Sequence, residues 1–95
     1  MVVGVLRLDL VLFAPQNLKE KRAIVKRLLG RCRERFPVSA AETGLHDLWQ
    51  RTELGFVMVA GDEGTIQSVF GRLEEEIARS AVAEIGERFS EFLHY

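Results

Sequence analysis

The chain has one cysteine, two prolines and two histidines among its ninety-five residues, and no apolar run of the ~20 residues a membrane span requires. Each shortage excludes something. Cys32 has no partner within the chain, so no disulfide framework is available, and the residue reads as a small buried hydrophobe. His46 and His94 lie far apart, and no ligand spacing such as His-x-x-x-His occurs, so neither a metal nor a cofactor is expected. The first residues lack a basic leader and a small-residue cleavage site, which predicts no signal peptide. A cytoplasmic protein without membrane association fits these features. Repeats, low-complexity segments and linkers are also missing. Residues 1–95 therefore read as a single domain, of a size that buries roughly 65% of its unfolded surface.

What is present is an uneven distribution of charge. The net charge of −1 conceals nine Lys or Arg against three Asp or Glu in residues 1–40, and four against eleven in residues 41–95. Such asymmetry points to a polyanion or to a charge-complementary partner. Most of the positive charge lies in Asn17–Phe36. That stretch reads as an amphipathic helix, with Leu18, Ile24, Val25, Leu28, Leu29, Cys32 and Phe36 recurring at spacings of three and four. Asn17 suits the N-cap, and Glu20 is placed to reach back to the Asn17 N–H in a capping box. Lys19, Lys21 and Arg22 oppose the helix dipole in the first turns, with Lys26 and Arg27 one turn further on. These five are the candidate anion-binding residues, because N-terminal amides and basic side chains together attract anions. Solvated surface charge is the alternative reading.

The flanking segments read as a sheet and a second helix. Val2–Phe13 alternates with period two, placing Leu6, Leu8, Leu10 and Leu12 on one face and Val3, Val5, Val11 and Phe13 on the other. Pro15 ends that strand. Pro37 ends the helix, and Val38–Glu42 is a short edge strand. Thr52–Ala60 is apolar on both faces past Gly55, as a central strand is. Asp62 caps a second helix carrying Ile66, Val69, Phe70, Leu73 and Ile77, and Glu74–Glu76 lie on its solvated side. In Ala81–Tyr95, loose alternation puts Ala83, Ile85, Phe89 and Leu93 on one face of a last strand. The order strand, helix, strand, strand, helix, strand predicts an α+β ferredoxin-like βαββαβ sandwich. Its four-stranded antiparallel sheet has order 4-1-3-2 and carries two helices on one face. The other face has no lid, yet it receives Val3, Val5, Val11, Phe13 and one apolar side of Thr52–Ala60. A C2 homodimer is the simplest cover.

Two segments are distinctive: Leu18-Lys19-Glu20-Lys21-Arg22, and Asp47-Leu48-Trp49-Gln50-Arg51. With Gly4-Val5-Leu6, Ala41-Glu42 and Leu54-Gly55 they resemble the YlxP-like family of small bacterial proteins, over essentially the whole chain. The resemblance implies a ferredoxin-like fold, a cytoplasmic location and encoding beside translation factors and a ribosome-binding factor. It supplies no activity and no catalytic residues. The second segment has two readings. In one, Asp47 caps a turn, Trp49 packs and Arg51 pairs with a carboxylate. In the other, His46, Asp47, Gln50 and Arg51 form a polar cluster beside a stacking indole.

Three functional classes follow. An RNA-binding or ribosome-associated module using the basic helix comes first. The pattern of RNA recognition motifs is absent, and Phe56 and Phe13 are the only candidates for base stacking on the central strands. A homodimeric interaction or small-ligand-sensing module acting through the open sheet face comes second. An enzyme is the third class and the least favoured. Acylphosphatases share the expected fold, but here the loop Ala14-Pro15-Gln16-Asn17 has no glycine, Arg22 is already inside the helix, and neither nucleophile nor general base stands nearby.

Overall fold

The computed structural model describes every residue from Met1 to Tyr95. Strand β1 is Val2–Leu12, one residue shorter than the alternation suggests. Its Leu6, Leu8 and Leu10 are fully buried, and each such burial contributes roughly 1.5–3 kcal/mol. Helix α1 is Leu18–Arg35. Asn17 Oδ1 accepts the Glu20 N–H at 2.9 Å, as an N-cap does. Glu20 does reach back, but it accepts the Gln16 N–H at 2.8 Å rather than that of Asn17. The entering chain turns the Gln16 amide toward the carboxylate. Phe36, extended ahead of Pro37, closes the helix.

Strand β2 is Ser39–Gly44, which starts one residue later and ends two residues later than the alternation implies. Strand β3 is Arg51–Ala60. Helix α2 is Glu63–Arg79, capped by Asp62, whose Oδ1 accepts the Thr65 N–H at 2.8 Å. Strand β4 is Ala83–His94. The sheet order is β2-β3-β1-β4 with all neighbours antiparallel, which is the expected 4-1-3-2 read from the opposite edge. With both helices packed on one face, this is the ferredoxin-like sandwich.

The core lies between the helices and the even-numbered residues of β1 and β3: Leu6, Leu8, Leu10, Leu54, Phe56 and Met58 meet Ile24, Leu28, Ile66, Phe70 and Leu73. Gly4 sets how closely α2 approaches. A Cβ at that position would collide with Ile66 and press on the Phe70 ring. Phe56 belongs to this core and is fully buried, so it has no place on the open face as a base-stacking platform. Residues of even number on β3 share the covered side with their even-numbered partners on β1.

Both edge strands depart from regular pairing. On β4, Leu8 pairs with Arg88 and Leu10 with Ile85, so Gly86 and Glu87 stand where β1 offers only Asp9. This bulge reverses the alternation. Ala83 and Ile85 turn to the helices, whereas Phe89 and Leu93 turn to the open face opposite Arg7 and Val3. The single shared face expected for those four residues does not exist, because the extra residue splits it. On β2, Glu42 pairs with Leu54 and Gly44 with Glu53, leaving Thr43 as the extra residue.

Candidate anion-binding surface

Helix α1 brings its basic side chains to three different environments. Lys21 is fully buried. It falls in register with the apolar stripe, three and four residues before Ile24 and Val25, so the turn that buries them buries it as well. Its Nζ lies 2.9 Å from Glu42 Oε2 and donates to the Leu45 carbonyl at 2.6 Å and the His46 carbonyl at 3.1 Å. Three donors meet three acceptors, and no capacity remains for an external anion. Lys21 is thus removed from the anion-binding set. A buried ammonium is tolerated only when paired and fully hydrogen-bonded, and this one is.

The network continues beyond Lys21. Thr52, also fully buried, donates from Oγ1 to Glu42 Oε2 at 2.6 Å. Partial burial pushes the Glu42 carboxyl up. The hydrogen bonds from Thr52 and Lys21, with the Lys21 charge and that of His46, outweigh it and hold the group below its ordinary value. Leu45 adopts a left-handed conformation with φ 58°, a region that bulky residues rarely occupy. Its carbonyl is the nearer of the two that Lys21 holds. The lysine therefore fastens the β2–β3 loop, strained at Leu45, to the underside of α1.

Three further cations are engaged within the chain. Arg31 and Arg35 approach Glu76 of α2 at 3.7 and 3.2 Å, and Arg33 donates to the Ala40 carbonyl. Lys19, Arg22, Lys26 and Arg27 are exposed and make neither an ion pair nor a side-chain hydrogen bond. Lys19, Arg22 and Lys26 recur at spacings of three and four and so line one flank, with Arg27 beside them. The cap already occupies the Glu20 amide, so this flank presents charged side chains around a helix start whose Glu20 N–H is taken.

No side-chain hydrogen bond or ion pair joins two residues of the segment from His46 to Arg51. His46 Nε2 lies 3.3 Å from the Glu42 carbonyl, and its own carbonyl accepts from Lys21. Asp47 is exposed and makes no side-chain hydrogen bond. Trp49 keeps 40% of its surface exposed. The Gln50 carbonyl accepts the Leu12 N–H at 2.8 Å. Arg51 points to the open sheet face, where it meets Asp9 at 3.8 Å, the carboxylate pairing that its structural reading anticipates. Alternation along β3 separates Arg51 from the other side of the strand, where Thr52 joins the buried network.

The open sheet face is divided lengthwise. One end carries Val3 and Val5 flanked by Val57, Val59 and Leu93. Further along, Arg7 reaches Glu53 at 3.5 Å and lies 5.0 Å above the centre of the Phe89 ring. A shallow hollow of about 460 Å³ lies over Gly55, between Val5, Arg7, Ser39, Ala41 and Val57. No three His, Cys, Asp or Glu side chains converge on a common point, and no helix is long and apolar enough to cross a membrane. Cys32 is buried, which together with the Glu76 charge raises its thiol to about 11 despite Arg31 and Arg33.

Residues 3–88 match the family described as "Protein of unknown function (DUF503)". The "Uncharacterized protein YlxP" of Bacillus subtilis (strain 168) is 39% identical over 59 residues, a stretch covering 62% of this chain and 64% of that protein. Among solved structures, a structural-genomics protein named YJCS aligns over 97% of this chain and 99% of its own, with TM-score 0.59 and 10% identity. A de novo designed protein, LFR1 1 with ferredoxin fold, aligns over 96% of this chain and 85% of its own, with TM-score 0.58 and 19% identity. At such identities the structural matches establish the fold alone.

Proposed function

The chain belongs to the DUF503 family of proteins of unknown function, and from that premise we propose that it is an RNA-binding or ribosome-associated module whose contact surface is the outer flank of α1. One observation carries this reading. Of the eight cations on α1, four are satisfied inside the protein, and the four that are not (Lys19, Arg22, Lys26 and Arg27) lie together on the solvent side. Unpaired cations in a row suit a row of phosphates, and binding through them releases counterions. With four phosphate contacts, log K falls against log salt with a slope of about −3. Recognition on this flank is by phosphate spacing and shape, because its four unpaired side chains are all cationic and none is aromatic.

The test is a titration of wild type and a Lys19→Glu, Arg22→Glu, Lys26→Glu variant with ribosomal subunits and structured RNA at low and moderate salt. Salt-sensitive binding lost in the variant supports the reading. A folded wild type that binds neither at low salt refutes it.

A second reading rests on a different surface. Val57 and Val59 stay 41% and 58% exposed on the open face beside Val3, Val5 and Leu93. A second copy of the chain would cover this apolar end, and a stable dimer requires about 800 Å² from each partner. Sedimentation of wild type against Val57→Glu, Val59→Glu decides it. A dimer that the variant dissociates supports the reading, and a monomer at all concentrations ends it.

A further inference from the structure

A cleft of about 550 Å³ runs between α1 and the segment that follows α2, within the range of roughly 300–1,000 Å³ typical of small-molecule sites. Ile24, Leu28 and Val82 supply its apolar lining and Arg27 its unpaired donors, beside Arg31, which Glu76 engages. We propose that this cleft receives one unpaired nucleotide of a single-stranded RNA, an inference that rests on the RNA-binding reading and specifies what that surface takes.

The chemistry of the lining fits a nucleotide. Arg27 has no partner within the protein and belongs both to the cleft and to the outer flank of α1, so a phosphate track along Lys19, Arg22 and Lys26 leads into the cleft. A guanidinium grips a phosphate through its fork and stacks on a base through its plane. The opposite character lies nearby. Glu34 lines the cleft, and Ser80 marks the C-terminal end of α2, where carbonyl oxygens and the negative pole of the helix favour donors. The exocyclic amino group of a base is such a donor. Between these, the apolar lining accepts a base removed from water.

Gly30 keeps the rim open. A Cβ there would meet nothing within 4 Å, so packing does not require glycine at this interior position of the helix. A larger side chain at residue 30 narrows the cleft without disturbing the core. A base held in a duplex has its edges paired and its faces stacked, and cannot enter.

The test follows amide shifts by NMR as a single-stranded decaribonucleotide or a fully paired, blunt-ended duplex of the same length is added, with affinities measured for wild type and Gly30→Leu. Thermal unfolding of the variant checks that it is folded. The expected result is shifts at Gly30, Ser80 and Val82 with the single strand, its affinity about tenfold weaker in Gly30→Leu, and duplex affinity unchanged. Shifts confined to Lys19–Lys26 with equal affinities in both proteins overturn the cleft assignment and leave the basic flank standing. Absence of binding to either RNA by folded wild type overturns both.

Discussion

Lys19 and Lys21 stand two residues apart in α1, and the helix sends them to opposite sides. Lys19 is exposed and unpaired, whereas Lys21 is sealed under the helix with Glu42, Leu45 and His46. Seven cations on the outer surface and one on the inner share a charge but not a task. The inner one fixes a loop, and the outer ones either cross to α2 and β2 or remain free. Charge alone therefore does not define a binding surface. The count of acceptors already in reach does.

This contrast is most sharply broken by Lys21→Met. The substitution keeps the length of the side chain but leaves the Glu42 carboxylate and two carbonyls without their partner. Loss of one member of a buried pair costs about 3–5 kcal/mol, readable by urea unfolding. Lys19→Met, its outer counterpart, is expected within about 0.5 kcal/mol of wild type in the same assay. Equal effects at the two positions would erase the distinction.

A smaller effect sharpens the inner side through pH. The Glu42 carboxyl is held below the ordinary glutamate value of 4.5 in the folded protein. Its charged form is therefore favoured by folding. The stabilisation is complete above about pH 4.5 and is lost as pH falls through the lower, folded-state value. Urea midpoints of wild type and Glu42→Gln are expected to differ at pH 7 and to converge below pH 4.5. A constant gap down to pH 3 would contradict the network.

A further effect lies on the outer side and has the opposite sign. Gly30→Ala places a methyl group in open space at a helical position, and is expected to raise stability by about 0.5–1 kcal/mol. Thermal unfolding measures it. A loss of stability would mean that residue 30 is packed after all.

Much of this molecule was legible in its residues. Pro15, Asn17, Pro37 and Asp62 mark element ends, and alternation in β1 and β3 orders the sheet, since each of these signals is local. Three features were not. The burial of Lys21 depends on carbonyls and a carboxylate more than twenty residues away, and a lysine in a basic run reads as surface. Its register with Ile24, Val25 and Leu28 was the available clue. The facing of Phe89 depends on a bulge, and Gly86 was the only hint of one. The facing of Arg51 depends on β3 starting there, which sends Arg51 to Asp9 on the open face and its neighbour Thr52 inward.

The irregularities at Thr43 and at Gly86–Glu87 fall on β2 and β4, which are the two outermost strands. A sheet recruits another strand through a straight run of free amides and carbonyls, and a bulge interrupts that run. Here the template is spoiled on both sides at once. The interruptions shorten the straight run on each edge, to Arg88–His94 on β4 and Ser39–Glu42 on β2, and so disfavour growth in the plane of the sheet. Association from above or below the plane is favoured in proportion, and there side chains rather than backbone decide what is accepted.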